Sequence, residues 1–351
     1  MTARKRDLTP VPPDHRRSWT RMNSSTPRRR LAAVAATASV TALVLALGAC
    51  SSGSGGAAPG TGDKPYVALV SKGFQHQFWQ AVKQGADDAA AELDVEVTFE
   101  GPETETEVEK QLTMLQTALD KSPDAIGYAA LDSEASIPMM TDAQSRGIPV
   151  IAFDSGVDSD VPVTTVSTDN LAASAEAAKH MAELVGSGKI AIVGHDQTSQ
   201  TGQQRVEGFT QYIAENAPDI EIVDTQYAAG DQLKSADAAK AIMQAHPDLK
   251  GIYGTNEGSA IGVVKAVQES GRAGELTVIG FDSGKAQTDA IRDGLMAGAI
   301  TQDPIKMGYE TVKAAVAVID GEEVEPVVDS GFYWYDETNI DDEEIAAVLY
   351  E

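Results

Sequence analysis

The sequence predicts an α/β protein built as two doubly wound lobes, and three observations carry the prediction. From Tyr66 onward, short β-branched apolar runs alternate with Ala-rich amphipathic stretches, which is the signature of βαβ units. About ten such runs are too many strands for one open sheet, so two lobes of about 130–150 residues suit them better. The heptapeptide Val150-Ile151-Ala152-Phe153-Asp154-Ser155-Gly156 recurs as Val278-Ile279-Gly280-Phe281-Asp282-Ser283-Gly284, with six of seven positions matching 128 residues apart.

The elements follow in order. Strands are predicted at Tyr66–Val70, Val95–Phe99, Ala125–Ala129, Pro149–Phe153, Thr164–Ser167, Lys189–Val193, Glu221–Asp224, Gly251–Tyr253, Leu276–Phe281 and Ala299–Thr301. Several are apolar throughout rather than alternating, as in a parallel sheet covered on both faces. Helices are predicted between them, at Phe78–Leu93, Glu107–Leu119, Ser133–Arg146, Leu171–Leu184, Gln203–Glu215, Ser235–Ala245 and Glu257–Glu269. Each copy of the heptapeptide reads as a buried strand ending in Asp. Ligands of open parallel sheets bind beyond the carboxyl ends of strands, so each lobe presents one carboxylate, Asp154 or Asp282, at its functional edge. Asp-Ser-Gly at a βα junction also serves as an ordinary helix cap and turn; the paired occurrence favours shared function.

The amino terminus has a different chemistry. Residues 1–49 hold nine Lys/Arg and two Asp/Glu, and Arg28-Arg29-Arg30 precede nineteen uncharged residues, Leu31 to Ala49. A basic region followed by an apolar one is a secretory signal, although this stretch is also long enough for a membrane anchor. Its end, Leu47-Gly48-Ala49-Cys50, resembles the lipobox of bacterial lipoproteins, in which the signal is cut before a Cys that then carries lipid. Residues 1–49 are therefore expected to be a lipoprotein signal peptide, with Met22 an alternative start, and Cys50 the lipidation site. The Gly/Ser-rich stretch that follows, 50–64, has too little apolar bulk to pack a core and reads as a flexible tether.

Composition narrows the function. Of 351 residues, 53 are Asp or Glu and 27 Lys or Arg, a formal net charge of −26, and the part beyond residue 49 holds 51 acids against 18 bases. So acidic a body is repelled by nucleic acid and anionic membrane surfaces. A single Cys excludes a disulfide framework and a Cys-rich zinc site, and none of the five His forms an HxxxH pair, so neither a metal nor another cofactor is expected.

The body resembles the type I periplasmic binding proteins, especially the ribose-binding group of sugar transport receptors. The resemblance runs from Tyr66 to about Tyr335. It rests on the opening strand with Ser71 to Trp79, Pro123-Asp124-Ala125-Ile126, Gly147-Ile148-Pro149-Val150, Ser167-Thr168-Asp169-Asn170, Arg205-Val206-Glu207-Gly208-Phe209, His246-Pro247-Asp248, Thr255-Asn256-Glu257, Val278 to Asp282 and Ile300-Thr301-Gln302. It implies the periplasmic binding protein-like I fold: two Rossmann-like lobes, a ligand cleft and a three-crossing hinge near Thr168, Gln302 and Gly331. The lobes would then be 65–168 plus 303–331 and 169–302 plus 332–351.

Site residues carry over one at a time. Phe78 and Trp79 hold the places of two aromatics that sandwich the sugar, and His76 that of an amide. Stacking on sugar C–H faces and paired hydrogen bonds to hydroxyls suit such residues. Asp154 and Asp282 match the family's carboxylates, Asn256 the second lobe's amide, Gln302 the hinge amide, and Thr168 lies near the first crossing. Ser155 and Gln203 stand where the sugar receptors often have Arg, and Gly230 where a third aromatic closes the sandwich. Fewer guanidinium donors imply a small neutral sugar or polyol, with Lys72 the one basic candidate and Arg205 expected in a surface or structural role. The resemblance implies no enzyme but the extracytoplasmic, lipid-anchored, monomeric solute-binding component of a carbohydrate ABC importer, partnered by permease subunits. The alternative is a lipoprotein that presents sugar to a membrane receptor.

Overall fold

A computed structural model describes residues 64–350; the expected signal segment, Cys50 and the expected tether, as far as residue 63, lie outside the described residues. Two six-stranded sheets organise them. The first holds β1 (Tyr66–Val70), β2 (Glu96–Glu100), β3 (Ala125–Tyr128), β4 (Val150–Phe153), β5 (Thr164–Ser167) and β11 (Val327–Asp329), in the order β2-β1-β3-β4-β5-β11, all parallel. The second holds β6 (Gly188–Gly194), β7 (Ile220–Tyr227), β8 (Leu249–Gly254), β9 (Thr277–Phe281), β10 (Gly298–Gln302) and β12 (Phe332–Tyr335), in the order β7-β6-β8-β9-β10-β12. Here the last strand runs antiparallel, with Ala299 opposite Tyr335. Both lobes are thus doubly wound α/β layers, as predicted.

Helices cover both faces because the strands are apolar on both. In the first lobe α1 (Gln77–Leu93) and α9 (Pro304–Ile319) lie on one side, α2 (Val108–Asp120) and α3 (Ile137–Ser145) on the other. In the second, α4 (Asn170–Val185) and α5 (Gln200–Asn216) lie opposite α6 (Gln232–Ala245), α7 (Glu257–Glu269) and α8 (Lys285–Arg292). Helices α1 and α9 touch backbone to backbone. A Cβ on Gly85 would stand 1.8 Å from the Ile305 carbonyl oxygen, and one on Gly308 1.9 Å from that of Val82. Any side chain at either position would push the helices apart and open the core beneath them.

The chain passes between the sheets at 168–169, at 303 and at 330–331. At two of these places Thr168 ties the crossings together: its hydroxyl hydrogen-bonds the Ser330 hydroxyl at 3.1 Å and donates to the Gly331 carbonyl at 3.2 Å. After β12 a tail follows, with a short α10 (Glu343–Ala346) whose Ile345, like Ile340, packs in the second lobe's core. Expected to belong wholly to that lobe, the tail instead ends with Tyr350 packed in the first lobe's core.

The ten predicted strands are present, shifted by at most three residues at an end. Two strands went unpredicted, for different reasons. Strand β11 has three residues with an exposed Val327 at its head, too short to show a period. Strand β12 is the aromatic run Phe332 to Tyr335, separated from β11 by only two residues. Helix α3 begins at Ile137 rather than Ser133, because the Asp132 carboxylate accepts from the amides of Glu134 and Ala135 and holds a turn there. Helix α5 begins three residues early, at Gln200, because the Ser199 hydroxyl caps it by accepting from the Gly202 amide.

Candidate functional site

The two Asp-Ser-Gly motifs end equivalent strands in the same conformation. Asp154 and Asp282 sit at φ 56° and 83°, the left-handed region that Asp tolerates better than most residues. Each amide donates to the neighbouring strand: Asp154 to the Val166 carbonyl at 2.9 Å, Asp282 to that of Ile300 at 2.6 Å. The turn this makes aims both side chains into one small cavity between the sheets, with free space of only ≈ 20 Å³, room for about one water.

Seven of the predicted residues line it: His76, Phe78, Trp79 and Asp154 from the first lobe, and Asn256, Asp282 and Gln302 from the second. The aromatics serve the core and the cavity together. Both are buried in the first lobe's apolar cluster, their rings edge-on at 4.9 Å. The Trp79 Nε1–H donates to Glu105 Oε1 at 2.8 Å.

Three predicted residues lie elsewhere. Ser155 is buried beside the cavity without lining it, its hydroxyl unpartnered among the described residues. Thr168 belongs to the hinge bonds above. Gln203 is exposed and donates to the Gln197 carbonyl. The earlier start of α5 accounts for Gln203: Thr201 and Arg205, four apart, share the inward face, and residue 203 points away from it. Arg205, expected in a surface or structural role, is buried and lines the cavity. Its guanidinium lies 3.7 Å over the Phe281 ring, Nε donating to Asn170 Oδ1 at 2.7 Å and Nη1 to the Thr255 carbonyl at 3.0 Å.

Four further residues complete the wall: Lys72, Glu105, His195 and Thr201. His195 stands just past the end of β6, where the strand-end rule would have found it. Glu105 stands in an acidic stretch, Glu103 to Glu109, that looks like any solvated loop. Lys72 reaches across from the first lobe and donates to the hydroxyls of Ser199 at 3.2 Å and Thr201 at 3.1 Å, with Asp196 at 3.7 Å.

The carboxylates differ in what they hold. Asp282 Oδ1 accepts from Gln302 Nε2 at 2.6 Å and Oδ2 from the Glu257 amide at 2.8 Å. The Asp154 carboxylate has no hydrogen-bond donor among the described residues, and burial pushes its pKa up to about 6 against the pull of Lys72 and Arg205. Burial also opposes the charge of Glu105. There His76, Lys72 and the Trp79 hydrogen bond prevail and hold the carboxyl below its ordinary range. The His195 imidazole is kept neutral by burial, with Lys72 and Arg205 adding to the effect. Gln302 Oε1 and His76 Nδ1 are buried without hydrogen-bond partners among the described residues, although Glu257 Oε1 lies 3.9 Å from the latter. Among these residues no cluster of His, Asp and Glu could hold a metal ion.

A cavity walled by rings, with carboxylates and amides converging on it, can bind a small polyhydroxylated molecule. The rings cover its apolar faces, and Asp154 and Gln302 accept from its hydroxyls.

Residues 67–323 match the periplasmic binding protein domain family. A crystal structure of an ABC transporter solute-binding protein from Agrobacterium vitis with bound D-fucose is 33% identical, covering 81% of this chain and all of its own, with a TM-score of 0.79. A second from the same organism, bound with α-D-tagatopyranose, is 28% identical, covering 82% of this chain and all of its own, with a TM-score of 0.80. The D-allose-binding periplasmic protein of Escherichia coli is 28% identical over 258 residues, 71% of this chain and 83% of its own length.

Proposed function

Because the chain belongs to the periplasmic binding protein family, we propose that it is the extracytoplasmic solute-binding component of a carbohydrate ABC importer, taking one small neutral sugar or polyol into the interlobe cavity. It is a sugar-binding protein and not an enzyme, in keeping with relatives named for ribose and allose and one solved with bound D-fucose. The single observation that supports the ligand class best is the unpartnered Asp154 carboxylate, facing the cavity across from the Asp282–Gln302 pair. A buried acceptor without donors needs a ligand that brings them, and vicinal hydroxyls do.

Charge supports a neutral ligand. Both cations at the wall are already engaged, Lys72 by Ser199 and Thr201 and Arg205 by Asn170, Thr255 and the Phe281 ring. An anion would meet Asp154 and Glu105 with no free cation of its own at the cavity wall among the described residues. The closed lobes would present their joint surface to the permease subunits as a monomer, and Cys50 would carry the lipid that keeps the protein at the membrane. Cys50→Ser should abolish lipid labelling and release the protein from the membrane fraction.

The test is a thermal-shift and calorimetric series with D-allose, D-ribose, D-fucose and D-tagatose, set against sugar acids and sugar phosphates. A ligand that binds only the folded state raises Tm. Neutral sugars or polyols should do so; tight binding of a sugar phosphate alone would overturn the proposal.

A further inference from the structure

We infer that the carboxyl-terminal tail is a further, non-covalent link between the lobes, with Tyr350 a positioning residue whose ring seats in the first lobe when the lobes are closed. Residues 340–350 are anchored to the second lobe at several points. Ile340 and Ile345 lie in its core. Thr301 Oγ1 donates to the Val348 carbonyl at 3.4 Å. Tyr350 and Gly284 form a parallel bridge, and the Ser283 amide donates to the Tyr350 hydroxyl at 2.9 Å.

The ring of Tyr350 belongs to the other lobe. It is 8% exposed within the first lobe's apolar cluster, and it meets the Phe78 ring edge-on at 6.1 Å. One side chain therefore touches both halves of the ligand site, Phe78 on the cavity wall and Ser283 next to Asp282. A hinge motion that separates the lobes must part Phe78 from Ser283, and Tyr350 cannot keep both. Its backbone and hydroxyl are held by the second lobe, so the contact given up on opening is the ring's seat in the first. Reseating an aromatic ring on closure raises the closed population by roughly tenfold to a hundredfold, from the size of the apolar burial. The same factor enters the affinity of any ligand enclosed by closure.

The affinity part of this inference rests on the sugar reading above; the closure part does not. The test compares the full chain with Tyr350→Ala and Tyr350→Phe. Its decisive probe is remote from the tail: the Ser133 amide, which donates to the Thr198 carbonyl across the other rim of the cleft at 2.9 Å. Without sugar, hydrogen exchange at Ser133 should be about tenfold faster or more in Tyr350→Ala, and severalfold faster in Tyr350→Phe, which keeps the ring and loses the hydroxyl. Acceleration around Ser283 alone, with Ser133 unchanged, would reduce the tail to local packing and overturn the inference. If Tyr350→Ala fails to fold, Tyr350→Phe decides by the same criterion. With D-allose, D-ribose or D-fucose, whichever binds the wild type, Kd should weaken about tenfold to a hundredfold in Tyr350→Ala, and an unchanged Kd would also overturn it. If none binds the wild type, the sugar reading fails by itself and Ser133 exchange alone judges the link.

Discussion

The two copies of Asp-Ser-Gly are the same peptide on equivalent strands in matching backbone conformations, yet their carboxylates serve different ends. Each carboxylate oxygen of Asp282 is already engaged by the protein. Helix α7 begins beside it and brings the Glu257 amide, and Gln302, the last residue of β10, brings a side-chain amide. The equivalent places beside Asp154 bring nothing. Helix α3 begins late, at Ile137, behind the turn held by Asp132, and β5 ends in Ser167, which is too short to reach. One carboxylate is thus a structural acceptor that also touches the cavity, while the other is held open for a ligand. Repetition in sequence preserves the strand and the turn; what surrounds the turn decides its task.

The largest effect that could break this contrast is on stability. Asp282→Ala strands two buried donors at about 1–3 kcal/mol each, so unfolding should become easier by several kcal/mol. Asp154→Ala shares the backbone strain and strands none. A denaturant titration of the pair should show the second variant clearly the more stable, and equal losses would refute the distinction.

Next comes the ligand side, read with Asp154→Asn, which suits the left-handed turn. Sugar affinity should fall about tenfold to several hundredfold, since ligand hydroxyls lose a charged acceptor. Fold stability should rise above about pH 6, and the sign follows from linkage. The folded carboxyl at about 6 binds its proton more tightly than the unfolded one, so this group's contribution to stability falls as pH rises from about 4 to 6, then stays down. Full burial makes the loss on the order of 3 kcal/mol. The stability difference between wild type and Asp154→Asn should therefore open across that window. Sugar, which favours the ionised form, should bind the wild type less tightly at pH 5 than at pH 7.5 and bind the variant alike at both. A pH-independent difference would place the open carboxylate elsewhere.

The smallest effect sharpens the map: Gln203→Ala should leave Kd and Tm within error, while Arg205→Ala weakens binding. Calorimetry on the two variants separates the faces of α5.

Much of the fold was legible because apolar strand runs and Ala-rich helices keep their period whatever their partners. Asp154 and Asp282 were legible through their repeat and the strand-end rule. Gln203 and Arg205 were exchanged in role because which face of α5 turns inward depends on where it begins, and the cap at Ser199 is one Ser among many polar residues. Glu105 left no trace, since the acidic residues around it hide which one turns inward to Trp79. The tail's seat was equally invisible, because residues 336–344 are polar or acidic apart from a lone Ile340 and show no period, and Tyr350 pairs with Ser283 only through the folded second lobe.

The contact of α1 with α9 through Gly85 and Gly308 also sets an order of assembly. Strands β6 to β10 follow one another along the chain, so when Gln302 has been made the second lobe lacks only β12 and the tail with its core residues Ile340 and Ile345. At that moment one face of the first lobe's sheet has α1 but not α9, and β5 has no β11 beside it. Its helix and edge strand arrive only after β6 to β10 have been synthesised. Contacts so distant in sequence form slowly, so the first lobe, though begun first, cannot close until most of the second has been made, and a chain released at Gln302 would carry a second lobe with all but one of its strands and a first lobe with a half-covered apolar face.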